Sequence, residues 1–354
     1  MRVLLPICLD RWRNPIATLL RACVEANPHI EFHSVASPAS EEDARLSRAF
    51  WTLPNVRSAT QAQLAARRFD GVHTASVTPH NLAAAAVAKL RSFGKCSFLT
   101  TINLEVGPGD GNDWKWLRVA EALANAFVSV SHAAGRGVAA RHPEHYHGVI
   151  PNGFDPGFFD PAIEDTEILP DHLRDLGPRG FALYVGALEP RKHPEFIVEL
   201  ARRHPEFTFV GAGYVHPLGT HFEPMVKSVK NLIWLGHVDR RMVRALLSRA
   251  AVFLFPSERE GLALSVIEAL GMGVPVVGQP KSSMPELITE GSNGRLIDIC
   301  DPDGWSAALD QYLLPAPGAG IPDPVRIRRE TVERYSWSSI GRRYGELYGR
   351  VFGR

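Results

Sequence analysis

Cysteine is scarce in this chain: 354 residues hold only 4, Cys8, Cys23, Cys96 and Cys300. No two form a C-x-x-C pair, so their spacing supports neither a zinc site nor a disulfide framework, and the expectation is a reducing, cytoplasmic setting. An excess of charge of one sign is missing too. The 39 Lys and Arg stand against 38 Asp and Glu, a formal net charge of +1, which offers no bulk attraction for nucleic acid or for an anionic membrane. Long apolar runs are absent. The opening "MRVLLPICLDRWR" returns to charge too soon for a signal peptide, and no stretch reaches the ~18 apolar residues of a membrane span. Metal-ligand spacing is lacking as well. His142, His145 and His147 crowd around Pro143 without a common helical face, Asp110 to Asp113 lack the other ligands of a calcium loop, and Asp301 to Gly304 read as a helix-capping turn. The run "VGAG", Val210 to Gly213, is not followed by G-x-G-x-x-G, which argues against a nicotinamide cofactor.

What is present is alternation. Short apolar runs and amphipathic segments succeed one another, the pattern of parallel strands joined by helical crossovers, and 45% hydrophobic residues over this length suffice for two cores. The expectation is α/β, two Rossmann-like doubly wound domains. Strands are expected in the first at "VLLPI", "IEFHSV", "GVHTAS", "CSFLTTI", "FVSVS" and "GVIP", and in the second at "FALYVG", "FTFVGAG", "NLIWLG", "AVFLFP", "VPVVG" and "GRLID". Residues 1–152 and 181–336 are the two domains on this reading, with the Pro-, Gly- and acid-rich 153–180 as hinge. Trp337, Ile340, Tyr344, Leu347, Tyr348 and Val351 recur at helical spacing near the end, which predicts a helix packed on a core. Arg11, Trp12 and Arg13 make a small basic-aromatic turn, read as ordinary surface ahead of an acceptor or membrane-surface contact.

Chemistry concentrates in "SEREGLALSVIEALGMGVPVVG", Ser257 to Gly278. A strand ends at Pro256, a loop follows, and a helix begins near Ser265. Ser265 and Glu268 have capping-box spacing, so one reading gives Glu268 the plain task of bonding the backbone N–H of Ser265. The other reading uses the loop. A helix N-terminus at the carboxyl end of a strand is a phosphate site, and Glu260 and Glu268 would flank it as acceptors for hydroxyls on either side of a diphosphate.

This stretch resembles the E-x7-E signature of the retaining family 4 glycosyltransferases, which have the GT-B fold. "YVGALEPRKHPEFIVELARRHPEFTFVGAG", "LIWLGHVDRRMVRALLSRAAVFLFPS" and "PELITEGSNGRLID" resemble the same family in order, and "VSVSHAAGRGVAARHPEHYHGVIPNGFD" its crossing into the hinge. "YSWSSIGRRYGELY" is similar to its terminal helix, which implies that residues 337–354 pack back on the first domain. The resemblance implies that Glu268 binds the donor's ribose, Glu260 the hydroxyls of the transferred sugar, and Lys192 with Arg191 the diphosphate. It further implies contacts from Gly186, Gly261, Leu262, Ala263 and Leu264 to sugar and phosphates, and from Gly236 and His237 to the base. Ala187 stands where the family often has Arg, Ala263 where it usually has Gly, and Asn103 where it commonly has a His near the reacting sugar. Asn can bond a sugar hydroxyl but takes no proton near neutral pH. The implied function is a metal-independent retaining hexosyltransferase without a cofactor, taking its sugar from a nucleotide-diphosphate donor to a saccharide, lipid-linked or small-molecule acceptor. The alternatives are a nucleotide-sugar epimerase on the same fold and a non-catalytic nucleotide-sugar binding module.

Overall fold

The computed structural model describes residues 1–8, 15–35, 53–59, 68–104, 106, 110–315 and 320–353. The turn at Arg11, Trp12 and Arg13 lies outside them. Two compact units divide the chain: Met1–Gly153 together with Tyr335–Arg354, and Phe154–Arg334.

The first unit is built on a parallel sheet of seven strands, β1 (Arg2–Cys8), β2 (Glu31–Val35), β3 (Val56–Ala59), β4 (Gly71–Thr74), β5 (Ser97–Ile102), β6 (Ala126–Ser129) and β7 (Tyr146–Val149), in the order 3-2-1-4-5-6-7. Six of these coincide with the apolar runs in the sequence; β3 is the addition. Its sequence, Val-Arg-Ser-Ala, has neither an apolar run nor a clean alternation, and among the described residues it pairs with β2 alone, at the sheet's edge. Strands β4, β5 and β6 are buried in nearly every position, as expected where helices cover both faces of a parallel sheet. Val3, Leu5, Phe32, Leu99 and Val128 pack against helices Pro15–Ala26 and Trp337–Phe352. Leu4, Val72 and Phe98 face the helices Pro79–Arg91 and Gly111–Leu123.

Helix Trp337–Phe352 belongs to this core. Ile340, Tyr344, Leu347 and Tyr348 are each fully buried. Gly341 brings the helix backbone against helix Pro15–Ala26 so closely that a β-carbon there would lie 2.2 Å from the carbonyl oxygen of Ala22. The two buried tyrosines keep their hydroxyls satisfied. His73 Nδ1 lies 2.6 Å from the Tyr348 hydroxyl, His73 Nε2 lies 2.8 Å from Thr101 Oγ1, and that hydroxyl lies 2.9 Å from Tyr344. Burial lowers His73 to about 3, so the ring is neutral in this network.

The second unit carries β8 (Phe181–Val185), β9 (Phe209–Ala212), β10 (Leu232–Trp234), β11 (Ala250–Phe255), β12 (Val276–Gly278) and β13 (Gly294–Leu296), all parallel, in the order 10-9-8-11-12-13. The segment Phe154–Gly180, which has no sequence period, is part of this unit. Its Asp165 is buried and accepts from Arg244 Nε at 2.8 Å and Arg241 Nη2 at 2.9 Å, while Arg328 donates to the carbonyl of Phe159 at 2.6 Å. Chain direction across the sheet reverses between β8 and β11. Connections leave such a point in opposite directions, and the carboxyl ends of the two strands are left flanking a crevice.

Candidate functional site

Two loops meet at that reversal. The first leaves β8 at Gly186 and makes a single 3₁₀ turn, Pro190–Lys192, with His193 in the left-handed region at φ 48° before helix Pro194–Arg203 begins. The second leaves β11 and runs through Ser257 and Glu260 into helix Leu264–Gly271. The backbone joins them: the N–H of Glu258 donates to the carbonyl of Arg191 at 2.8 Å.

Their side chains converge on one carboxylate oxygen. Glu260 Oε1 accepts from Arg191 Nη1 at 2.8 Å, from Lys192 Nζ at 2.9 Å and from Ser257 Oγ at 2.8 Å. Arg191 is held from its other edge by Glu189, Nε to Oε1 at 2.9 Å, and Lys192 lies over the ring of Phe255. Burial tends to raise the Glu260 carboxyl, but Lys192 and then Arg191 outweigh it, so the net shift is downward and the group is ionised. Two cations and two acids thus sit in a partly desolvated pocket, where charge pairs are worth more than in water.

Glu268 lies apart from this cluster. Helix Leu264–Gly271 starts at the N-cap residue Ala263, which makes no side-chain capping bond, so the Ser265–Glu268 capping box is not formed. The reason is register. Ser265 is already inside the first turn and cannot serve as the cap. Glu268 Oε1 instead accepts from Arg240 Nη2 at 3.2 Å, and the Arg240 guanidinium rests on Phe158 and Phe159 at 5.0 and 5.1 Å. Burial pushes the Glu268 carboxyl up to about 7, with Arg240 opposing it.

Three glycines close the ends of adjacent strands: Gly186 after β8, Gly213 after β9 and Gly236 after β10. Gly186 and Gly213 approach so closely that a β-carbon on Gly213 would stand 1.9 Å from the Gly186 carbonyl oxygen, and the Gly213 N–H donates to the Gly236 carbonyl at 2.8 Å. Beside them a recess of about 410 Å³ is lined by Gly213, Tyr214, Trp234, Gly236 and His237 among others. Gly261, Leu262, Ala263 and Leu264 form the approach to helix Leu264–Gly271, Leu262 and Ala263 being buried. Ala187 is buried, and its carbonyl accepts from the Tyr184 hydroxyl at 2.9 Å. Asn103 belongs to the first unit. It follows β5, and its amide donates to the carbonyl of Ala75 after β4.

The structure therefore brings Arg191, Lys192 and Glu260 together, puts Gly186 at the base of their loop, and gives Glu268 a separate partner. Ser257, Glu189, Arg240 and Ser282 join the site without having been found in the sequence. Ser257 stands three residues before Glu260 and Glu189 two before Arg191, both within reach of a local reading; Arg240 and Ser282 contribute tertiary contacts that leave no local spacing. Among the described residues no group of three or more His, Cys, Asp or Glu is placed to hold a metal ion, and no helix is long and apolar enough to cross a membrane.

Residues 166–317 match the family model described as Glycosyl transferases group 1. An alpha-maltose-1-phosphate synthase from Mycolicibacterium smegmatis is 26% identical over 258 residues, covering 66% of this chain and 65% of that protein. A UDP-Gal:alpha-D-GlcNAc-diphosphoundecaprenol alpha-1,3-galactosyltransferase from Escherichia coli is 28% identical over 211 residues, covering 55% and 53%. Relative to such proteins the chain spans between about half and two thirds of their length. Among solved structures, Anabaena HepE in complex with UDP-glucose superposes with a TM-score of 0.72 at 15% identity, over 99% of this chain and 100% of that one. A glycosyltransferase from Rickettsia africae gives 0.72 at 13%, over 99% and 98%. The two parallel-sheet units have the Rossmann-like α/β form of these GT-B glycosyltransferase neighbours, and the stretch that matches the Glycosyl transferases group 1 model, residues 166–317, contains Lys192 and Glu260.

Proposed function

We propose that the chain is a retaining glycosyltransferase of family 4 that takes a sugar from a nucleotide-diphosphate donor without a metal ion or other cofactor. The observation that carries the reading is the convergence of Lys192, Arg191 and Ser257 on one oxygen of Glu260, inside the matched domain and at the reversal of its sheet. Without donor, the two cations are balanced by Glu260. A diphosphate entering the crevice competes for them, and its charge is larger than that of one carboxylate, so Lys192 and Arg191 turn toward it. Glu260 is then released to accept from hydroxyls of the sugar to be transferred. As the bond from sugar to phosphate lengthens, negative charge grows on the leaving diphosphate, and the two cations now bonded to it, with the N-terminus of helix Leu264–Gly271, stabilise it. The chain's own cations fill the place a divalent ion would take. The leaving phosphate receives the acceptor's proton, and attack on the face from which it departs keeps the anomeric configuration.

In this reading the ribose is bonded by Glu268 and the base lies in the recess at Gly236 and His237. HepE has been solved in complex with UDP and with UDP-glucose, which supports a nucleotide sugar here. The acceptor is a saccharide, a lipid-linked saccharide or a small molecule.

The test is a thermal-shift panel of UDP-glucose, UDP-N-acetylglucosamine, GDP-mannose and ADP-glucose, followed by NMR of the sugar released or transferred. One donor at a hundred times its dissociation constant should stabilise the fold by about 2.7 kcal/mol. Turnover should continue in EDTA and the product should keep the donor's configuration. Inverted product refutes the retaining step, and activity lost to EDTA and restored by manganese refutes the metal-free one. A donor bound but never cleaved favours a binding module.

A further inference from the structure

Ser282, in the loop between β12 and the helical turn Met284–Leu287, has φ 53°. Residues with a side chain rarely occupy this left-handed region, because the β-carbon crowds the following carbonyl oxygen. A chain tolerates that where surrounding contacts hold the residue in place. Here they do. Ser282 Oγ donates to the carbonyl oxygen of Glu260 at 2.6 Å and accepts from the N–H of Glu260 at 3.1 Å. One hydroxyl thus holds both polar groups of a single peptide residue 22 positions away. The residue it holds is the one whose side chain meets Lys192, Arg191 and Ser257. Next to it, Ser283 is fully buried, and Gln279 binds the carbonyl of Pro256, immediately before Ser257. The β12 loop is therefore fastened to the β11 loop at two places, at the strand end and at Glu260.

We propose that Ser282 is a positioning residue for sugar transfer: by fixing the backbone of Glu260 from both sides it keeps that carboxylate directed at the transferred sugar after the cations have turned to the diphosphate. The inference rests on the reading of Glu260 as the sugar-contacting acid. In the donor complex Glu260 no longer has both cations to orient it, so its direction depends on its backbone. Positioned groups contribute to a reaction only while their geometry persists, and a displacement near 1 Å costs about a hundredfold in severe cases.

The strained φ makes two substitutions informative together. Ser282→Ala removes the hydroxyl and keeps the strain. Ser282→Gly removes both, so its fold should be at least as stable as that of Ser282→Ala. UDP, UDP-glucose, GDP and GDP-mannose serve as probes, with binding measured by calorimetry, donor hydrolysis by release of nucleoside diphosphate, and melting by fluorescence. Both variants should bind the sugar-free nucleoside diphosphate within about twofold of wild type and hydrolyse the corresponding nucleotide sugar about tenfold more slowly, as expected for one lost hydrogen bond at a reacting group. Wild-type turnover in Ser282→Gly, whatever Ser282→Ala does, overturns the inference, since only strain would then have mattered. Equal losses in nucleoside diphosphate affinity and in turnover also overturn it, because they indicate collapse of the loop. Glu260→Gln measured alongside separates the two levels. If Glu260→Gln hydrolyses donor like wild type, or if wild type binds neither the four probes nor ADP-glucose, the site reading itself fails and the inference with it. If Glu260→Gln is impaired and Ser282→Gly is not, only the inference fails.

Discussion

Glu268 shows how one residue's surroundings turn into a measurable pH dependence. Its side chain keeps 18% of its exposure and its cationic partner is Arg240, so burial leaves it at about 7 against an ordinary 4.5. The folded protein holds a proton there that the unfolded chain releases at lower pH. The stability this confers is therefore complete below about 4.5 and is lost as pH rises through about 7. Glu268→Gln cannot ionise. Its stability relative to wild type should increase from about pH 5 to about pH 8, by on the order of 1–3 kcal/mol, read from denaturant melts at each pH. Binding should run the other way. Ribose hydroxyls donate best to an ionised carboxylate, so nucleotide-sugar affinity should climb through the same window in wild type and stay flat in Glu268→Gln. A flat wild-type profile would show that Glu268 does not hold the ribose.

Among elements, helix Trp337–Phe352 offers the clearest test of packing. Gly341→Ala sets a methyl 2.2 Å from the Ala22 carbonyl oxygen, in contact with backbone that has little room to retreat. Overpacking of this kind typically costs about 1–3 kcal/mol. Tyr348→Phe should cost about as much for another reason, because it leaves His73 Nδ1 buried without its partner. Differential melting of the two variants checks both, and a loss below about 0.3 kcal/mol in each would mean that this helix is not tied to the sheet as described. The helix also marks the limit of what sequence conveys. Spacing alone identified the buried positions Ile340, Tyr344, Leu347 and Tyr348, because an apolar stripe has a period. It said nothing about the tyrosine hydroxyls, whose partners His73 and Thr101 are on strands more than 240 residues away in the chain. The site divides along the same line. Arg191, Lys192 and Glu260 belong to local turns with recognisable motifs, whereas Arg240, at the start of helix Arg240–Leu247, and Ser282, in a loop, reach it from 28 and 22 residues away. Strand β3 went unread because edge pairing demands little apolar sequence.

For the molecule as a whole, the order of the segments matters. The second unit is one continuous stretch, and among the described residues its core from Ala182 to Ile321 draws on none outside it. A fragment of residues 154–334 should fold cooperatively by itself and be stabilised by the same nucleotide sugar as the full chain. Circular dichroism melts with and without that ligand decide it, and a fragment that shows no transition would mean that the unit depends on the rest of the chain. The first unit is discontinuous, and this sets a timetable for synthesis. Its sheet and its helix Pro15–Ala26 leave the ribosome early, but the helix that covers them follows only after all of Phe154–Arg334 has been made. At ordinary rates of elongation that interval lasts roughly 10 to 40 s. Throughout it the nascent chain carries one unit able to close and another whose apolar face is still uncovered, so chaperones that hold exposed hydrophobic surface would meet this protein through its first half, before Ile340, Tyr344 and Tyr348 arrive to seal it.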